Sequence, residues 1–114
     1  MKIDICEGDN MSKAGTGNII EDNKNATNQS FLYFMHEENI FDEKSFSELY
    51  NYINKLDSVS LAELKDLCFI QNQIMRHLVC HFDEDDFSKI SNLPATYWKY
   101  IDLLDNAIQK LPVI

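Results

Sequence analysis

The sequence predicts an all-α protein, a compact antiparallel bundle of about four to five helices preceded by a flexible N-terminal arm. Three observations carry that expectation. Apolar residues recur at helical spacing in three long segments after residue 42, and the pattern Ser-x-x-Glu occurs twice, each time at the head of such a segment. All three glycines (Gly8, Gly15 and Gly17) lie in the first 17 residues, so only short polar junctions interrupt the periodic part. At 114 residues, 45% hydrophobic and 25% charged, the chain has the size and composition of one globular domain with a single modest core.

Residues 1–27 read as a polar N-terminal arm and residues 28–114 as the helical domain. The arm holds the glycines and many Asn, Ser and Thr residues, with only Ile19 and Ile20 as an apolar pair after its first residues. The next segment, FLYFM at 31–35, is too short for periodicity to separate a buried strand from a helical turn. A helix over 28–38 is the reading adopted. The alternative is a short edge strand at 31–35, paired with residues 2–6.

Phe46, Leu49, Tyr50, Ile53 and Leu56 then predict a helix over 43–56, with Ser45 and Glu48 as a capping box. Ser60 and Glu63 repeat that box before SLAELKDLCFIQNQIMRHLVCHF, the longest periodic run in the chain. On its wheel Leu61, Leu64, Leu67, Cys68, Gln71, Ile74, Met75, Leu78, Val79 and Phe82 share one face, which predicts the central core helix. Asp83 as N-cap, Asp86 in the first turn and a Phe82–Phe87 staple predict a short helix over 84–91. Pro94 favours a first helical turn, and Tyr97, Ile101, Leu104, Ile108 and Leu111 define the stripe of a last helix over 94–110, stopped by Pro112.

Charge narrows the function classes. Ten Lys and Arg against nineteen Asp and Glu give a net charge of −9. Acids outnumber bases in each of the segments 1–30, 31–59 and 60–114, so the folded part is itself acidic. Direct nucleic-acid binding and anionic membrane surfaces are disfavoured, whereas a basic protein partner is attracted. Cys6, Cys68 and Cys80 are odd in number and irregularly spaced, which reads as free thiols in a reducing compartment. No apolar window approaches a signal peptide or a membrane span, and a cytoplasmic protein is expected.

The stretch HLVCHFDEDDF at 77–87 is the densest in chemistry-bearing residues. His77 and His81, four apart on one helix, could share a metal ion, and Cys80 beside them could act as a thiol. A surface metal- or thiol-dependent enzyme or sensor is therefore one reading. The simpler account gives each part a helix-terminus role, with imidazoles in a last turn and carboxylates in the next first turn. The acids lack the glycine and distal glutamate of a calcium loop, and GTGN at 15–18 lacks the lysine of a phosphate loop. No cofactor, metal or catalytic constellation is expected.

The favoured expectation is a small acidic binding protein that neutralises a basic partner, as an immunity protein or antitoxin does to a nuclease toxin. An adaptor subunit of a larger complex is the duller alternative. Partner-facing charges are expected first at Asp83, Glu84, Asp85 and Asp86, then at Glu37, Glu38 and Asp42. Apolar anchors are expected at Ile70, off the main stripe of its helix, and at Trp98.

Overall fold

A computed structural model describes residues 18–114 of the chain. Among them are five helical elements and a lone bridge, and no strand. They are α1 (Ile19–Asn25), α2 (Phe31–Tyr33, running on into a π-helical turn, Phe34–Glu38), α3 (Glu43–Asn54), α4 (Leu61–Phe82) and α5 (Tyr97–Gln109). The all-α expectation holds.

The domain starts earlier than its composition suggested, because α1 falls within the stretch expected to be a polar arm. Asn18 caps it, its side-chain oxygen accepting from the Ile20 and Glu21 amides at 2.9 and 3.3 Å. Ile20 enters the core. Asn23 is buried with it, its side chain donating to the Ile19 carbonyl at 2.9 Å and accepting from the Leu32 amide at 3.1 Å. That second bond ties α1 to α2. Left-handed backbone at Ala26, Asn28 and Gln29 turns the chain between them without a glycine. The residues 2–6 of the alternative strand pairing lie outside the described residues, and residues 31–35 are helical, as in the reading adopted.

Serine 30 starts α2 by accepting from the Tyr33 amide, and Asn39 ends the π-turn in the left-handed conformation that asparagine tolerates. The cap of α3 differs from expectation. Asp42, not Ser45, is the N-cap, and its carboxylate accepts from the Ser45 amide at 2.9 Å. Ser45 is buried and donates its hydroxyl to the Asp42 carbonyl, while Glu48 pairs loosely with Lys44 on the surface. Asp42→Ala is expected to lower stability by about 1 kcal/mol in urea unfolding, and Glu48→Ala to change it by less than about 0.5 kcal/mol. Equal effects would return the capping role to the Ser45–Glu48 pair.

Helix α4 begins with the predicted capping box, Ser60 and Glu63 exchanging bonds at 3.1 and 2.9 Å. Its end is different. Residues 83–96 form a long irregular connection where a short helix over 84–91 was expected, and Phe87 is 99% exposed, so no Phe82–Phe87 staple forms. The chain here is held by other contacts. Ile90 is buried and its amide donates to His81 Nδ1 at 2.9 Å. Asn92 bonds both the amide and the carbonyl of Phe41, and the Ser91 amide donates to the Asn39 carbonyl. These bonds satisfy backbone groups that helix formation would otherwise have to satisfy. Helix α5 accordingly starts at Tyr97, three residues after Pro94. Beyond it Val59 and Val113 form a parallel bridge, fastening the C-terminal residues to the α3–α4 junction.

The core joins Phe31, Met35, Leu49, Ile53, Leu67, Ile70, Ile74, Leu104 and Ile108. At one end four rings interlock edge to face. Phe31 lies 5.0 Å from Phe41 and 5.4 Å from Phe46, and Tyr100 lies 5.0 and 5.2 Å from the same two rings. The Tyr100 hydroxyl reaches out to donate to Glu43 at 2.6 Å. α5 bridges α3 and α4, while α1 and α2 touch both of those helices from the other flank. Antiparallel packing of α4 and α5 follows from two contacts, Phe82 with Tyr97 and Gln71 with Asp105.

A candidate protein-binding surface on α4 and α5

Helix α4 is covered on only part of its circumference, and this decides what its long apolar arc does. The buried residues are Leu67, Ile70, Ile74 and Leu78. Ile70 is 1% exposed, a core residue packed inward, which removes it as a partner anchor. On the helical wheel the buried arc is turned by roughly 70° from the centre of the apolar face read from sequence. The remainder of that face is therefore left outside. Leu61, Cys68, Met75, Val79 and Phe82 are all exposed, with Val79 at 67% and Phe82 at 58%.

These five side chains occupy a narrow strip along one side of α4, within about 60° on the wheel. The half-buried Gln71 marks the border between this strip and α5, its Nε2 donating to Asp105 at 2.7 Å. Across that border α5 turns Trp98 outward at 52% exposure, one residue after Tyr97, whose ring touches Phe82. Lys99 lies over the indole, 5.6 Å from its centre. Trp98 is therefore exposed, one residue after the Tyr97 that meets Phe82. Missed from the sequence were Met75, Val79 and Phe82, because they were counted as core. Exposed apolar side chains in such a line mark an interaction surface more often than chance scatter does.

The four acids Asp83, Glu84, Asp85 and Asp86 follow directly at the end of this strip, next to Phe82. None makes a salt bridge among the described residues. Their local bonds shape the turn: the Asp85 amide donates to Asp83, the Ser88 amide donates to Asp86, and Lys89 reaches the Asp83 carbonyl. The Ser88 amide and the Cys80 thiol together hold the Asp86 carboxyl below its usual range.

The other predicted acids are elsewhere. Glu37 and Glu38 sit on the π-turn, exposed, on the flank of α4 that carries His77 and opposite the apolar strip. Asp42 is engaged as the α3 cap. The partner-facing set read from sequence is therefore split over three places, of which one adjoins the apolar strip.

The His77, Cys80 and His81 group is likewise divided. His81 accepts from the Ile90 amide, and Cys80 hydrogen-bonds Asp86, which pushes its thiol above the ordinary value. A thiol held protonated by a carboxylate is a poor nucleophile. His77 faces the π-turn instead, its ring 5.6 Å from that of His36. Among the described residues no three His, Cys, Asp or Glu side chains converge as a metal site. No described helix is long and apolar enough to cross a membrane.

Burial, then the neighbouring His36 and Arg76, hold His77 below its ordinary value of 6.5. The unfolded chain therefore takes up this proton first as pH falls, so the folded state is disfavoured progressively below neutrality. Stability in urea is expected to decline from about pH 7.5 to about pH 5.5, and the decline is expected to flatten in His77→Gln. An unchanged slope in that variant would assign the decline to other groups.

Scans against protein-family models, curated proteins and solved structures each found no match to this chain.

Proposed function

We propose that the protein is a stoichiometric binding protein that neutralises a basic protein partner, in the manner of an immunity protein or antitoxin acting on a nuclease toxin. The observation that carries the reading is the exposed strip of Met75, Val79 and Phe82 beside Trp98, ending in four carboxylates without ion pairs among the described residues. An aromatic and aliphatic centre with a charged edge is how tight protein interfaces are built, the centre supplying affinity and the charge supplying encounter rate and partner choice. A net charge of −9 favours a cationic partner over a second copy of the chain. A nuclease fits because its substrate groove is cationic, and an acidic surface can occupy it. The reading through His77, Cys80 and His81 is not favoured by the geometry, since Cys80 and His81 are each engaged locally.

The test is affinity capture of tagged wild type and Val79→Asp from a lysate of the protein's own cells, washed at low and moderate salt. One basic protein held near equal stoichiometry by wild type and lost by the variant is the expected result. The purified partner should then have an activity on nucleic acid that wild type suppresses at one equivalent. A partner retained equally by both proteins, or one that is acidic, would overturn the reading.

A further inference from the structure

We propose that the exposed strip of α4 receives a cationic amphipathic α-helix of the partner, laid lengthwise beside α4 and α5. The inference rests on the reading of the strip as a partner surface, and adds to it the secondary structure and the charge of the segment that binds.

Spacing specifies a helix. Leu61, Cys68, Met75 and Phe82 recur every seven residues, and Val79 stands four after Met75 and three before Phe82. All five are exposed. A seven-residue recurrence keeps apolar side chains on one seam that drifts by about 20° per heptad around a straight helix, and a second helix inclined by about 20° follows such a seam. An added strand would instead need an open sheet edge, and the described residues contain no strand. From Leu61 to Phe82 the seam is about 30 Å long, which about 20 helical residues span. The positions three residues after the first three seam members turn inward. Leu64 is half-buried, Gln71 bonds Asp105 of α5, and Leu78 is buried. The heptad pattern of α4 is thus filled on one side by its own chain and open on the other, which is the place of one more helix.

Charge specifies which helix. The α5 edge of the seam carries Trp98, Asp102 and Asp105, which share a flank of α5 at intervals of four and three. Asp102 is exposed, and Asp105, half-buried, accepts from Gln71 and Gln109. At the C-terminal end of the seam stand Asp83, Glu84, Asp85 and Asp86, and none of these six carboxylates makes a salt bridge among the described residues. Lys65 and Arg76, both exposed, lie on the opposite edge of the seam on the wheel of α4. A helix seated here meets carboxylates along one edge and at one end, the arrangement by which flanking charges of paired helices select a partner of opposite sign. A second copy of this chain would bring its own carboxylates to the same groove.

The full chain is titrated calorimetrically with a designed peptide of about 21 residues, three heptads with leucine at the two apolar positions and lysine at the others, under conditions where the peptide alone is disordered. One control peptide has the same composition in an order that gives no apolar face, and another has glutamate in place of lysine. The helical cationic peptide is expected to bind one to one, at least about tenfold more tightly than the scrambled one, and to gain helical circular dichroism on binding. Val79→Asp and Trp98→Ala, both at exposed positions, should each weaken it about tenfold or more, and the glutamate peptide should not bind. No binding of the helical peptide, equal binding of the scrambled one, or binding that Val79→Asp leaves intact overturns the proposal. Such a failure is distinguishable from failure of the basic-partner reading, which capture of the partner by wild type and not by Val79→Asp tests separately. A concentration-dependent dimer of wild type that Val79→Asp abolishes would give the seam to a second copy and overturn both.

Discussion

Replacing Phe31 with alanine is expected to destabilise the fold by about 3–5 kcal/mol, a large share of the ~5–15 kcal/mol that holds a domain of this kind together. Phe31 is 2% exposed and sits where α2, the Phe41 connection and α3 meet. Its loss removes the transfer free energy of the ring and leaves a cavity whose walls are tied in place. Phe41 is anchored by both bonds to Asn92, and Tyr100 by its bond to Glu43, so neither ring collapses freely into the gap. The variant should show a lower urea midpoint by far-ultraviolet circular dichroism, and Phe31→Leu should recover much of the loss. A change below about 1 kcal/mol would mean that the aromatic end is peripheral to the core.

The second large effect is expected at the outer strip and should leave folding alone. Val79→Asp and Trp98→Ala should each weaken a 1:1 complex with the basic partner by about 30-fold or more, ~2 kcal/mol, while moving stability by less than about 0.5 kcal/mol. The reason is that these side chains are exposed in the free protein and would be desolvated only in the complex. Neutralising Asp83, Glu84, Asp85 and Asp86 to their amides should act differently. It should lower the association rate by about tenfold at low salt and flatten its salt dependence, with a smaller change in dissociation. Surface plasmon resonance at two ionic strengths separates these effects. If the apolar variants bind as wild type does, the strip is not the interface, whatever the acids do.

Much of the helical content was legible because local rules and tertiary packing agree there. The capping box at Ser60 and Glu63, the stripes of α3 and α5, and the stop after α5 follow from spacing and helix-end chemistry, and they form as read. The misreadings have identifiable causes. Residues 83–87 carry acceptable helix-start chemistry, yet Ile90 and Asn92 bond distant groups at His81 and Phe41 that sequence spacing does not reveal. α1 was read as an arm because its composition is polar. Its buried Asn23 makes a polar residue a structural one by bonding Leu32, nine positions on. At α3 two adjacent capping patterns compete, and the aspartate prevails: its carboxylate accepts from the Ser45 amide, where the Ser45 hydroxyl was expected to accept from the Glu48 amide three residues on.

What the sequence determined by itself is therefore the all-α character, the extents of α3 and α4, and a net charge of −9. The tertiary structure alone decided which part of the α4 apolar arc is core and which is surface. Periodicity locates an apolar arc on a helix, but burial depends on where neighbouring helices lie around it. Here α1, α2 and α5 cover the arc from Ile70 to Leu78 and leave Met75, Val79 and Phe82 bare. The same packing set His77 against His36 and left His81 to the 83–96 connection, because proximity between elements is a property of how the helices assemble and not of any one helix.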